Sequence, residues 1–161
     1  MKPQPHHFRR SLRLPGVSTA DLCAFHLDTS NFQHLVLPTT QVIDPPPPDV
    51  RPGVEFDLRM RELGLLPIHW RGVWNVVEPG IRMVDSLRQP AFPFASWRHE
   101  HRFESTCDGT VLTDEIRFVP LLPTALRWLA PAVAMALKTH LHLMFAWRHR
   151  VTRSRLTDSR S

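Results

Sequence analysis

The chain contains no tyrosine and only two cysteines among its 161 residues. Cys23 and Cys107 lie far apart and in no metal-ligand spacing, so we expect neither a disulfide framework nor a cysteine-based zinc site. The absence of tyrosine removes one usual polar side chain for holding a ligand. The most apolar run, around residues 128–137, is too short to span a bilayer and is interrupted by Pro131. No apolar segment lies near the start, so we expect no secretory signal and a cytoplasmic location.

Charge is unevenly distributed along the chain. The formal net charge is +5, and arginines concentrate near the end, at Arg148, Arg150, Arg153, Arg155 and Arg160. A basic end of this kind is typical of a solvated helix terminus, so we expect no specific nucleic-acid partner. The length is that of one domain with a real core, and the apolar fraction of 42% is ordinary for a globular protein.

The sequence pattern predicts a succession of strands followed by one long helix. A first strand over residues 8–14 precedes a short helix capped by Ser18 or Thr19, a second short helix over 31–35 and a short strand over 41–43. Four prolines, residues 45–48, predict a stiff connector. Alternating segments then predict five consecutive antiparallel strands. From Pro123, apolar residues recur every three or four positions, which predicts a long amphipathic helix. The predicted stripe is Leu126, Leu129, Val133, Leu137, His140, Leu141, Met144 and Trp147.

The most informative segment is the predicted hairpin over residues 96–120. Period-two alternation gives it one charged face and one mainly apolar face, with a turn at Cys107-Asp108-Gly109. The apolar face carries two histidines and an aspartate, which ordinary cores avoid unless they are paired or functional. If Ser105 and Thr110 close the turn, the directly opposite pairs are His101 and Asp114, His99 and Ile116, and Trp97 and Phe118.

A third strand contributes another inward carboxylate. Asp85 alternates onto the same face, and plausible registers bring it beside His99. Side chains opposite each other have Cβ atoms about 5 Å apart, which suits an imidazole–carboxylate hydrogen bond. Three interpretations stay open. His101–Asp114 and Asp85–His99 are satisfied structural pairs, or the cluster recognises a ligand, with a His oriented by Asp as general base in an enzymatic version. In the third, His-x-His on a strand with nearby carboxylates binds a divalent metal.

The hairpin motif resembles that of a known superfamily. WRHEHRF followed by DGTVLTDEIRFVP resembles the W-x-H-x-H-x-F…G-T-x-L-x-D-x-V-x-Y-x-x-P pattern of bacterial SRPBCC (START-related) ligand-binding and polyketide cyclase/dehydrase-like proteins, with Phe118 where tyrosine is usual. The resemblance implies an α+β helix-grip fold, in which a curved antiparallel sheet of about six to seven strands wraps around a long C-terminal helix. We expect a single domain over 6–152, with flexible tails over 1–5 and 153–161.

The resemblance implies binding of a hydrophobic small molecule or lipid in a cavity between sheet and helix, by a carrier, sensor or accessory protein. The alternatives are a cyclase/dehydrase-like enzyme that uses a cavity His–Asp pair and a protein-interaction module without a ligand. We expect no cofactor, and no metal site because the glycines and downstream glutamate of cupin-type sites are missing. A monomer or weak homodimer is expected. The candidate cavity residues are Trp70, Trp74, Asp85, Trp97, His99, His101, Asp114 and His140.

Overall fold

The computed structural model describes residues 4–157 and contains one seven-stranded antiparallel sheet. The strand order is β1-β7-β6-β5-β4-β3-β2, so the five strands from β3 to β7 form the predicted meander and β1 pairs with β7. The strands are β1 (His6–Pro15), β2 (Thr40–Asp44), β3 (Glu55–Glu62), β4 (Leu66–Glu78), β5 (Arg82–Leu87), β6 (Phe94–Thr106) and β7 (Gly109–Pro120).

Short helices follow the first strand, and a long helix ends the described chain. Helix α1 (Thr19–Leu27) begins after Ser18, whose hydroxyl accepts a hydrogen bond from the Asp21 amide at 3.0 Å. A single 3₁₀ turn and α2 (Phe32–Leu35) complete the connection to β2. The curved sheet wraps around α3 (Ala130–Thr157), so the predicted helix-grip architecture is confirmed.

The core lies between the inner face of the sheet and the helices. One apolar cluster joins the middle of the sheet to α1 through residues such as Leu22, Met83 and Leu112. The other joins the sheet to α3 through Phe118, Leu141 and Phe145. Burial of large apolar side chains such as these stabilises the fold by roughly 1.5–3 kcal/mol each.

The C-terminal helix differs from its prediction at both ends. Residues Thr124–Leu129 form a 3₁₀ helix, and Pro131 lies in the first turn of α3, where proline is tolerated because its amide needs no intrahelical partner. The helix continues to Thr157, so the expectation of a flexible tail from residue 153 is wrong for residues 153–157. Residues 158–161 and 1–3 of the expected tails lie outside the described residues.

The buried face of α3 also differs from the predicted stripe. The buried residues are Ala134, Leu141, Phe145, His149 and Thr152. Leu126 and His140 are exposed instead. By length and composition the segment Thr124–Thr157 could cross a membrane, but α3 packs against β1 and β7, in the position of a core helix. The length and composition of this segment are therefore only weak evidence for a membrane span.

Candidate functional site

Three neighbouring strands bring the predicted polar residues together. The hairpin turn is the pair Cys107-Asp108, which places His101 opposite Asp114, while the β5–β6 register places Asp85 opposite His99. Both predicted pairings of strand positions are therefore confirmed. Since alternate residues of a strand face the same side, all four side chains point toward α3.

Asp114 is the centre of this cluster and is completely buried. Its Oδ1 accepts a hydrogen bond from His99 Nε2 at 2.9 Å, and its Oδ2 accepts one from His149 Nε2 at 2.6 Å. His101 Nδ1 lies 2.7 Å from Oδ1, but the ring N–H is not aligned with that oxygen and makes no hydrogen bond. One carboxylate therefore connects β6, β7 and α3.

The side-chain contacts differ from the predicted pairs in one respect. The hydrogen bond to Asp114 comes from the diagonal neighbour His99 rather than from His101, the residue directly opposite. His99 also approaches Asp85, with Nδ1 3.5 Å from Oδ2. The imidazole of His99 thus lies between two carboxylates.

Burial and pairing set the charge of the cluster. Burial acts to raise the pKa of Asp114, but His101, His149 and His99 outweigh it and hold that pKa well below its usual range. Burial also acts against a charged His99, yet the hydrogen bond to Asp114 and the negative charges of Asp85 and Asp114 raise its pKa.

Two other histidines stay neutral. Burial, followed by the charge of His99, lowers the pKa of His101 to about 4. Burial, followed by His101, lowers the pKa of His26 well below its ordinary value. The rings of His26 and His101 are 5.3 Å apart, so α1 also contributes to the cluster. Burial lowers the pKa of Arg148 in α3, against the opposing charges of Asp114 and Asp85.

Sequence reasoning missed His26, Arg148 and His149. The signal for His149 is its spacing, since Leu141, Phe145 and His149 recur every four residues on one helix face. The predicted stripe departs from this face after Leu141, because it includes Trp147 and omits Phe145 and His149. The sequence carries no comparable periodic signal for His26 or Arg148. Each lies near the end of a predicted apolar segment and is only half-buried.

A cavity of about 200 Å³ lies between the sheet and α3, above this cluster. Its walls are mostly apolar and aromatic, with Trp70 and Trp97 in edge-to-face contact at 5.3 Å. Seven of the eight candidate residues line it, namely Trp70, Trp74, Asp85, Trp97, His99, His101 and His140. His140 is solvent-exposed where it contributes to the lining.

Asp114 does not line the cavity, so its predicted place among the ligand contacts is corrected. Its carboxylate instead contacts His99 and His101, which do line the cavity. Four cavity-lining residues carry buried nitrogens without a hydrogen-bond partner among the described residues: His26 Nε2, Trp74 Nε1, His101 Nδ1 and Arg148 Nε. Such groups cost roughly 1–3 kcal/mol each, and this concentration marks the inner end of the cavity as specialised.

Metal-binding donors are present in the same place. Asp85, His99 and His101 each offer one donor atom, and the three atoms lie within 4.8 Å of one another. All three residues are buried and face the cavity.

Comparison with known proteins identifies the fold. No protein-family model matches the chain, and no curated protein matches it in sequence. Among solved structures, the di-domain ARO/CYC StfQ from the steffimycin biosynthetic pathway matches with a TM-score of 0.76 at 16% identity, over 98% of this chain and 52% of that chain. This chain therefore spans about half of that di-domain protein.

Two further structures match over nearly their full length. A START superfamily protein from Mycobacterium smegmatis has a TM-score of 0.63 at 11% identity, covering 97% of this chain and 99% of that one. Ara h 8.0201 has a TM-score of 0.60 at 13% identity, covering 93% and 99%. The chain has the START-related helix-grip fold of SRPBCC proteins, as the hairpin motif indicated. At these identities the likeness concerns the fold alone.

Proposed function

We propose that this protein binds a compact hydrophobic molecule between the sheet and α3, and acts as a carrier, sensor or accessory binding protein. The observation that carries the proposal is the cavity, which has aromatic walls and a polar inner end. Small-molecule sites are commonly built in this way, because apolar walls supply affinity and a few polar groups fix the orientation of the ligand.

The walls and the inner end have separate roles in this proposal. Trp70, Trp97 and Phe94 form a connected aromatic wall, with ring centroids 4.8–6.0 Å apart. The polar side chains at the inner end are Asp85, His99 and His101, and they orient a polar substituent of the ligand. The hydrogen bond between His99 and Asp114 keeps this end preorganised, which reduces the entropy lost on binding.

The volume limits the size of the ligand. A cavity of about 200 Å³ is smaller than the roughly 300–1,000 Å³ of pockets that hold drug-sized molecules. We therefore expect a compact aromatic or short aliphatic molecule rather than a long-chain lipid.

Titration with two probes, anilinonaphthalene sulfonate and decanoic acid, tests the proposal. EDTA is present in both titrations. Isothermal calorimetry should give saturable binding of at least one probe with one site per chain. Native mass spectrometry of gently purified protein should show whether a small molecule co-purifies.

A matched pair of variants tests the location. Met144 lines the cavity, whereas its neighbour Leu143 is 61% exposed. Met144→Trp should fill the cavity and weaken binding by at least about tenfold, the equivalent of 1.4 kcal/mol, while Leu143→Trp should bind as the wild type does. Equal binding by both variants, with circular dichroism showing both folded, would contradict the proposal, as would the failure of both probes to bind.

A cytoplasmic location is part of the proposal. Cys23 and Cys107 are both free thiols, and Cys107 is exposed. An exposed free thiol is most compatible with a reducing compartment. Fractionation of cells that express the native chain should recover it with cytoplasmic markers, and recovery with membranes would contradict this assignment.

A further inference from the structure

The surroundings of His99 are the starting point, because its ring lies between two carboxylates. Nε2 donates to Asp114 at 2.9 Å, and the opposite nitrogen, Nδ1, faces Asp85 at 3.5 Å. A neutral imidazole carries only one N–H, so when Nε2 donates, the lone pair of Nδ1 points toward a carboxylate. Either a proton on Nδ1 or a metal cation between Nδ1 and Asp85 relieves that repulsion.

The distance between these two atoms fits shared coordination better than a direct hydrogen bond. Charge-assisted hydrogen bonds between imidazolium and carboxylate are about 2.7–2.9 Å long, clearly shorter than the 3.5 Å observed. Two ligands bound to one tetrahedral metal at about 2.0–2.1 Å lie roughly 3.4 Å apart. The separation of Nδ1 and Oδ2 is therefore close to that of two ligands of a single metal ion.

His101 supplies a third donor. Its Nδ1 is held against Asp114, which leaves Nε2 for coordination. The donor atoms of Asp85, His99 and His101 lie within 4.8 Å of one another, so side-chain shifts of at most about 0.7 Å each bring the widest pair to the roughly 3.4 Å of two tetrahedral ligands.

Asp114 has the position of an outer carboxylate in a metal centre. Histidines that bind metals usually present their second ring nitrogen to a carboxylate or carbonyl, which fixes the tautomer and orients the ring. Asp114 contacts the second nitrogen of both His99 and His101 and is itself fixed by His149. This arrangement preorganises both imidazoles toward the cavity.

The local charge also accommodates a divalent cation. Asp85 and Asp114 contribute two negative charges, and the nearby Arg148 contributes one positive charge, which leaves an excess of one negative charge when the histidines are neutral. A bound divalent ion would change the net charge of the site from one negative to one positive. The net charge stays small, so Arg148 does not by itself exclude the ion.

We propose that Asp85, His99 and His101 form a binding site for a divalent transition-metal ion at the inner end of the cavity. Two imidazoles and one carboxylate favour zinc, iron(II), cobalt or nickel over magnesium and calcium, which prefer oxygen ligands. Because all three donors approach from the sheet side, the remaining coordination positions face the cavity. Water or an oxygen atom of a bound molecule would complete the sphere.

Cobalt(II) titration of tag-free, EDTA-treated and dialysed protein tests the site. We expect one equivalent per chain, with visible d–d absorption bands characteristic of nitrogen and oxygen ligands. Zinc measured by plasma mass spectrometry after equilibrium dialysis should compete for the same single equivalent. No cobalt uptake at micromolar protein concentration would overturn the proposal.

Variants separate the proposed site from adventitious histidine binding. Asp85→Asn keeps the shape of the side chain and should weaken cobalt binding by at least about tenfold. The matched control is His69→Gln, because His69 forms an exposed pair with Asp57 at 2.9 Å on the other face of the sheet. His69→Gln, and His6→Gln with His7→Gln, should bind like the wild type.

The outcomes are decisive even if one variant is unstable. His99→Gln should also lose cobalt binding, but it disrupts the contact with Asp114, so circular dichroism must show that it is folded. If it is not, Asp85→Asn alone decides. Wild-type stoichiometry and spectrum in folded Asp85→Asn, or loss of binding in His69→Gln, would place the metal elsewhere. The probe titrations that test ligand binding contain EDTA and do not depend on a metal. A failure of cobalt binding therefore leaves the proposed ligand binding unaffected, and a failure of probe binding leaves the proposed metal site unaffected.

Discussion

His149 and Asp114 lie 35 positions apart and are joined by a 2.6 Å hydrogen bond from Nε2 to Oδ2. Both side chains are buried, so the bond connects the middle of α3 to the sheet without competition from water. The bond is specific to one rotation of α3 about its axis, because a turn of the helix by one residue would present Arg148 or Arg150 to Asp114 instead.

Loss of the central carboxylate should destabilise the fold strongly. We expect Asp114→Asn to lower the free energy of unfolding by about 3 kcal/mol, because the amide cannot accept from both His99 and His149 without placing its own donors against one of them. Urea unfolding followed by far-ultraviolet circular dichroism measures this loss. Asp108→Asn is the control: Asp108 is in the exposed turn of the same hairpin and pairs with Arg13 at 2.9 Å, so the change should cost at most about 1 kcal/mol. Equal losses in the two variants would refute this role for Asp114.

Acidification between pH 6.5 and about 4 should destabilise the metal-free protein. In this range the unfolded chain takes up protons on His26 and His101, whereas burial keeps both neutral in the folded state. The unfolded state then binds more protons, so stability falls as pH falls. His101 alone accounts for up to about 3 kcal/mol at pH 4. The raised pKa of His99 acts in the opposite sense: its contribution is present below pH 6.5 and is lost as pH rises through its folded pKa.

The variant His26→Phe isolates one of these contributions. Phenylalanine suits the site, since His26 already packs against the rings of Phe25 and Phe103. Thermal unfolding in EDTA at several pH values should show a shallower decline of stability on acidification than in the wild type. An unchanged pH slope would show that His26 is not the group responsible.

Gly72 should be intolerant of any side chain. A Cβ atom at this position would overlap the ring of Phe56 on the neighbouring strand. We expect Gly72→Ala to cost about 1–3 kcal/mol through overpacking and to displace Phe56 toward the cavity it lines. A double-mutant cycle with Phe56→Leu measures the effect: the alanine should cost clearly less in the leucine background. Additive changes would contradict a direct clash.

The hydroxyl of Thr110 should matter more than that of Thr113 on the same strand. Thr110 Oγ1 is buried and donates to the Val17 carbonyl at 2.7 Å, so Thr110→Val leaves a buried acceptor unsatisfied and should cost about 1–3 kcal/mol. Thr113 Oγ1 lies 3.0 Å from the hydroxyl of Ser11, an exposed residue that water can reach after Thr113→Val. Chemical denaturation of the two variants gives the comparison, and a larger loss for Thr113→Val would reverse this ranking.

The register of the sheet was predictable because strand pairing is geometrically rigid. Once the turn at Cys107-Asp108 is placed, period-two alternation determines that His101 lies opposite Asp114 and that both face inward. The motif around these residues also indicated the fold. For the same reason, every cavity residue predicted from a strand was placed on the correct side of the sheet.

The helix and the side-chain contacts were less predictable for two physical reasons. A 3.6-residue period tolerates a shift of one position in an apolar stripe, so the predicted stripe includes Trp147, whereas Phe145 and His149 are the buried residues. Side-chain hydrogen bonds depend on rotamers, which alternation does not determine, and His99 rather than His101 donates to Asp114. His26 comes from a helix whose docking on the sheet leaves no periodic signature.

The pairing of β1 with β7 has a consequence for synthesis of the chain. Residues 6–15 leave the ribosome before the other six strands, yet their partner strand is completed only at residue 120. The strands from β2 to β7 can pair with sequence neighbours as they emerge, whereas β1 must wait with its backbone amides and carbonyls unpaired. We expect the slow, concentration-sensitive step of folding to be the closure of this last ladder, and a nascent chain arrested before β7 to be recognised by chaperones through its first strand.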